Sequence, residues 1–204
     1  MNKKLLACCL LVWLVGCEEI PTKQNLAEPD YAKLTKNHKY AKLLIDAEKK
    51  ANPPGRKVLE TGREMALLHE TVVKGSCWDY ANAVYEKAGF PVKGKRKVIV
   101  TKKQAATFNL KDLQPGDFLS YINHSFNNIE HSAIFVDWMN FEKKVALMLS
   151  YAGQSRNEPA RYRPYDLSNV FYVARATIPA LSPLTTKKPP SDEDQAESEN
   201  TETE

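Results

Sequence analysis

Gly75-Ser76-Cys77-Trp78-Asp79-Tyr80 opens an apolar-periodic run in which Cys77, Ala81, Val84 and Ala88 recur at helical spacing, with Trp78 and Tyr85 beside them. Gly89-Phe90-Pro91 supplies the stop, because glycine and proline do not continue a helix. At the other end Ser76 and Asp79 have the Ser-x-x-Asp spacing of a capping box. The spacing therefore predicts a helix whose first turn carries Cys77. The first turn of a helix holds unpaired N–H groups and the positive end of the macrodipole. Thiols in such a setting ionise and attack readily, whereas a thiol in an apolar core is inert.

Around this helix the remaining chain reads as helices first and strands after. Tyr31 to Ala51 is Lys-rich and helix-prone, with Tyr40, Leu43, Leu44 and Ala47 on a narrow apolar face. Asn52-Pro53-Pro54-Gly55 breaks the chain. Arg56 to Val73 is expected as a second helix, with Val58, Met65, Leu68 and Val72 facing inward. Lys93 to Lys103 leans to β structure around Val98-Ile99-Val100 and has the Lys-rich flanks of a solvated edge. The turn Lys111 to Asp117 launches a strand over Phe118 to Ile122, and a polar loop follows over Asn123 to Glu130. His131 to Trp138, Val145 to Tyr151 and Val170 to Ala176 are the remaining strands, the first two joined by a hairpin loop at Asn140 to Lys143. This order predicts one α+β domain over residues 31–182, with helices packed on a mainly antiparallel sheet. About 150 residues suffice for one core and not for two.

Lys3 and Lys4 precede the apolar run Leu5 to Val15, which is too short to span a bilayer. Leu14-Val15-Gly16-Cys17 resembles a bacterial lipobox. The resemblance implies a signal over residues 1–17, lipidation of Cys17 as the mature N-terminus and a tether over 18–30. Glu18 rather than Asp follows the cysteine, which implies the outer membrane, facing the periplasm. Cys8 and Cys9 would leave with the signal, so Cys77 would be the one thiol left in an oxidising compartment, with no partner for an internal disulfide. Residues 183–204 are rich in Pro, Ser, Thr and acid and are expected to be disordered. The charge is divided accordingly. The whole chain carries +4, whereas residues 18–186 carry +7, which suits an anionic partner such as acidic wall peptides. No nucleic-acid-binding module accompanies that charge, so no nucleic-acid partner is expected.

A nucleophilic thiol needs a base. His38 falls on the Lys-rich segment, His69 on the second helix and His124 in the polar loop, whereas His131 opens an apolar strand. On that strand His131, Ala133 and Phe135 share one face. If the next hairpin turns around 140–143, positions 150 to 152 lie opposite His131, and Ser150 is the polar residue of fitting parity to orient the ring. Tyr151 has the opposite parity and Gln154 lies past the strand.

The order Gly75-Ser76-Cys77-Trp78-Asp79-Tyr80, then Leu113-Gln114-Pro115-Gly116-Asp117-Phe118, then His131-Ser132-Ala133-Ile134-Phe135-Val136 resembles the NlpC-type papain-like cell-wall cysteine peptidases over roughly residues 70–155. The resemblance implies a papain-like α+β fold with Cys77 as nucleophile, His131 as base and Ser150 in the third position. It implies a cofactor-free and metal-free peptide amide hydrolase acting on peptidoglycan stem peptides, expected as a monomer. The chain departs from the family pattern before the nucleophile. Val72-Val73-Lys74-Gly75-Ser76 stands where a Tyr and a Gly-Gly pair are usual, and Cys77-Trp78-Asp79 replaces Asp-Cys-Ser-Gly. Two other readings compete. One is a catalytically inactive wall-binding or scaffold lipoprotein of the same fold. The other is a zinc site of Cys77, His131 and His124, which lacks the paired ligand spacings usual for zinc.

Overall fold

The computed structural model describes residues 38–178. The expected signal, Cys17, the tether and the acidic tail lie outside the described residues.

Among the described residues three helices of ten or eleven residues precede the sheet. Helix α1 spans Ala41–Lys50 and buries Ala41, Leu44 and Ala47. Helix α2 spans Pro53–Arg63, starting earlier than the expected Arg56. Prolines at its first positions fit a helix start, where the missing N–H would be unpaired anyway, and Asn52 Oδ1 caps it by accepting from the Gly55 N–H at 2.8 Å. The run continues as a π-helical turn over Glu64–Leu68 and stops there, short of Val73. Val58 and Met65 are buried as expected, but Val72 lies beyond the helix and is exposed. Helix α3 spans Cys77–Lys87 with Ser76 as its N-cap.

The sheet has six strands: β1 Arg96–Val100, β2 Phe118–Asn123, β3 Ile129–Asn140, β4 Val145–Ser150, β5 Arg161–Asp166 and β6 Val170–Ala176. Their order is β1-β6-β2-β3-β4-β5, and every neighbouring pair is antiparallel. The molecule is therefore an α+β protein. Strand β5 was not anticipated, because Arg161-Tyr162-Arg163-Pro164-Tyr165-Asp166 is charged and contains a proline. Its place at the end of the sheet explains that composition, since proline lacks the N–H that an interior strand must donate.

Central strand β3 is buried on both faces from Ser132 to Val136. One face joins Leu119, Tyr121, Ala133, Phe135, Ala146, Met148 and Val173 in a core cluster, with Phe108, Leu110 and Trp138 packed against it. The other face meets the helices. Tyr85 of α3 lies edge-on to Phe118 with ring centroids 6.0 Å apart, and Gly62 of α2 lies against Leu149, whose methyl is 2.6 Å from where a Cβ would stand.

The Pro115-Gly116-Asp117 turn locks these layers together. Gly116 has φ +94°, and a Cβ there would stand 2.6 Å from the Gly55 backbone. Two glycines thus let the start of α2 touch the turn main chain to main chain. Tyr85 donates to the Gly116 carbonyl at 2.5 Å. Asp117, almost fully buried, accepts from Arg175 Nε and Nη2 at 2.7 and 2.8 Å, a paired geometry that ties the turn to β6.

Candidate active site

Cys77 occupies the first position of α3, in the setting that the capping residues predict. The Ser76 N–H and the Ser76 hydroxyl both donate to Asp79 Oδ2, at 2.7 and 2.8 Å. These bonds favour the ionised carboxylate, so Asp79 is held below the usual aspartate range. The preceding Gly75 has φ +109°, and a Cβ on it would stand 2.3 Å from the Asp79 carboxylate oxygen. Gln154 clamps the same peptide twice. Its side-chain oxygen accepts from the Gly75 N–H at 2.9 Å, and its own N–H donates to the Gly75 carbonyl at 2.8 Å. The loop that presents the thiol is therefore fixed at both ends by polar contacts.

The thiol meets β3 where β4 leaves the sheet. Pairing between β3 and β4 ends with Ser150 opposite Ala133. The Ser132 N–H, one residue past that pair, donates to Cys77 Sγ at 3.4 Å. The sulfur thus lies beside the main chain of the residue that follows His131. Cys77 is half-buried and free, and it lines one groove with Gly75, His131, Ala152 and Gln154.

His131 is positioned by side chains rather than by main chain. Its Nε2 is 2.8 Å from Ser150 Oγ, and Ser150 Oγ is in turn 2.9 Å from the Tyr165 hydroxyl. The Tyr121 ring stands edge-on to the imidazole at 5.7 Å, and Tyr165 lies tilted beside it at the same centroid distance. Burial among these rings disfavours the charged form and lowers the imidazole to about 4. At neutral pH the ring is neutral and able to accept a proton. Its Nδ1 makes no hydrogen bond among the described residues.

The candidate residues thus gather at one notch, with two departures from the expected detail. Ser150 pairs across the ladder with Ala133 and reaches His131 diagonally; the register shifts at Phe135/Asp137 and Trp138/Asn140 bring it that close, since the Asn140–Val145 pairing continued without them would set Ser150 opposite Phe135. Each bulge inserts an extra residue on one strand, which counting back from the hairpin loop does not register. Tyr165 is the member of this cluster that sequence reasoning misses. It lies on the unanticipated β5, where the alternation of Arg161, Arg163 and Tyr165 was the available signal. Tyr151 and Gln154 do not approach the ring through hydrogen bonds. Tyr151 stacks on Tyr80 at 4.7 Å and donates to the Val73 carbonyl at 2.7 Å.

His124 does not join Cys77 and His131. Its ring nitrogens are 2.8 Å from Asn128 Oδ1 and 2.7 Å from Asn169 Oδ1, bonds that raise it above the ordinary histidine value. Among the described residues no group of three His, Cys, Asp or Glu side chains is arranged to hold a metal. No described helix is long and apolar enough to cross a membrane. Compared with known proteins, the chain matches no family model, and no curated protein or solved structure is significantly similar to it.

Proposed function

We propose that this protein is a cysteine-dependent amide hydrolase of papain-like fold, acting on peptide bonds of peptidoglycan stem peptides. The observation that carries the reading is the thiol of Cys77, held 3.4 Å from the N–H of the residue after His131, whose ring Ser150 orients at 2.8 Å. With the ring proton on Nε2 and donated to Ser150, Nδ1 is the free base. It takes the thiol proton as Sγ attacks the carbonyl carbon. The carbonyl oxygen gains charge at the start of α3, where the Cys77 N–H stabilises it. The C–N bond then breaks, His131 returns the proton to the leaving amine, and a thioester to Cys77 remains. Water, deprotonated by the same imidazole, releases the acid and restores the thiol. Cys77, His131 and Ser150 are the site residues, with Tyr165 behind Ser150, and the chemistry calls for no cofactor.

The same reading makes Cys17 a lipid anchor in the outer membrane and the protein a monomer working on the wall from the periplasmic side. One observation favours the inactive wall-binding alternative: the sulfur's hydrogen bond comes from Ser132 rather than from the ring. Purified sacculi separate the two. Incubation with the wild type should release peptide fragments identifiable by mass, and Cys77→Ala or His131→Ala should release none. Fragments at equal yield from Cys77→Ala, or none from the wild type, would end the hydrolase reading.

A further inference from the structure

A second cavity, of about 520 Å³, opens on the Ser150 and Tyr165 side of His131. It meets the thiol groove at Ile129, His131 and Ala152, which line both. Three arginines line it. Arg161 and Arg163 share one face of β5 with Tyr165, by the alternation of a strand. Arg156 comes from the short 3-10 turn Gln154–Arg156.

The cavity contains more positive charge than it neutralises. Its one carboxylate, Glu158, pairs with Arg161. Arg156 and Arg163 are exposed, and their guanidinium groups make no hydrogen bond or ion pair among the described residues. A guanidinium presents paired donors at the spacing of a carboxylate. Phe126 and Ile129, 55% and 45% exposed, form an apolar rim at the mouth, suited to the methylenes of a peptide side chain.

We infer that this cavity is an anion subsite for a carboxylate carried on the amine half of the cleaved amide. The inference rests on the hydrolase reading for its direction. The acyl half bonds to Cys77, while the amine half receives the proton of His131 and so lies at the histidine, where this cavity begins. The substrate class is then a peptide with an acidic group just beyond the scissile bond.

The test uses the full chain with Cys77→Ala, so that bound peptide is not turned over. One probe is a stem peptide from sacculi, and the other is the same peptide with the carboxylates of its C-terminal half amidated. Calorimetry should show the free peptide bound about tenfold tighter or more, an advantage that shrinks at high salt. Arg156→Gln with Arg163→Gln should reduce that ratio to near one without moving the melting temperature. Equal affinity for both peptides, no binding of either, or discrimination that survives the double substitution would each overturn the subsite. Release of fragments from sacculi by the wild type, alongside equal binding, would keep the hydrolase and remove the subsite. Discrimination without any release would keep the subsite and remove the hydrolase.

Discussion

The thiol side and the imidazole side of the notch are built by opposite means. Cys77 is held by main-chain polar contacts: the Ser76–Asp79 box, the Gln154 clamp on Gly75 and the Ser132 N–H. His131 is held by aromatic rings and a hydroxyl, with Tyr121, Tyr165 and Ser150 around it. The first arrangement fixes a position while leaving the group open to solvent. The second fixes an orientation by removing solvent, and so also sets the protonation state. Breaking either side should give a different signature.

The largest effect expected concerns protonation. The unfolded chain takes up a proton on His131 near the ordinary value of 6.5, whereas the folded ring resists until about 4. Folding stability should be unaffected by this group at neutral pH, fall as the pH drops through 6.5, and stop falling near 4. The full loss is on the order of 3 kcal/mol. Urea midpoints at pH 7 and pH 4.5 should therefore differ more for the wild type than for His131→Gln. A wild type no more acid-sensitive than the variant would contradict the desolvated ring. On the same ground, and under the proposed hydrolase function, the acid limb of turnover should fall near pH 4 rather than 6.5.

Next comes the thiol side. Gly75→Ala puts a Cβ where φ is +109° and the Asp79 carboxylate is 2.3 Å away. Displacing the loop by even an ångström should cost about 100-fold in release from sacculi, with the acid response of His131 unchanged. If Gly75→Ala shifts the acid limb instead, the two sides are not independent.

Ser150→Ala removes the bond to Nε2 and strands the Tyr165 hydroxyl, and about tenfold in kcat is expected. Tyr165→Phe, one bond further out, should cost only a few-fold in kcat, on the order of the net worth of one hydrogen bond. A larger loss for Tyr165→Phe than for Ser150→Ala would mean that the tyrosine, not the serine, orients the ring. The smallest effect is Tyr121→Phe. Its hydroxyl is buried with no hydrogen-bond partner among the described residues, so removing it should leave stability equal or raise it by up to about 1 kcal/mol. A thermal melt checks this, and a clear loss would reveal a partner for that hydroxyl.

The same contrast explains what could be read from the chain alone. The cap, the half-buried thiol and the Pro115-Gly116-Asp117 turn are local, so six or seven consecutive residues declare them. The closure of Gly116 on Gly55 is not local, and neither glycine announces the other. His131 was legible as the start of an apolar strand, but its aromatic surroundings come from β2 and β5. Counting across a hairpin points to Ser150, but the two bulges that carry it from the level of Phe135 to that of Ala133, within reach of the ring, leave no mark in the sequence. Tyr165 was lost with β5, because an edge strand does not show the apolar alternation that reveals buried ones. The second helix ran short of Val72 because the π-helical turn ends it at Leu68, a change of hydrogen bonding that side-chain periodicity does not encode.

Pro164 and its neighbours have a consequence beyond the candidate site. The sheet ends in β5 on one side and β1 on the other, and each outermost ladder presents free main-chain groups to which another chain could add. On β5 the proline interrupts the donors, and Arg161 and Arg163 bring like charges to any copy that approached in register. On β1 the exposed Lys97 does the same, whereas Arg96 turns its guanidinium back onto Phe90 and Asn82. Both margins are thus poor templates for strand addition. The residues that disguise β5 as a loop thus also discourage the sheet from growing by edge-to-edge addition of further copies.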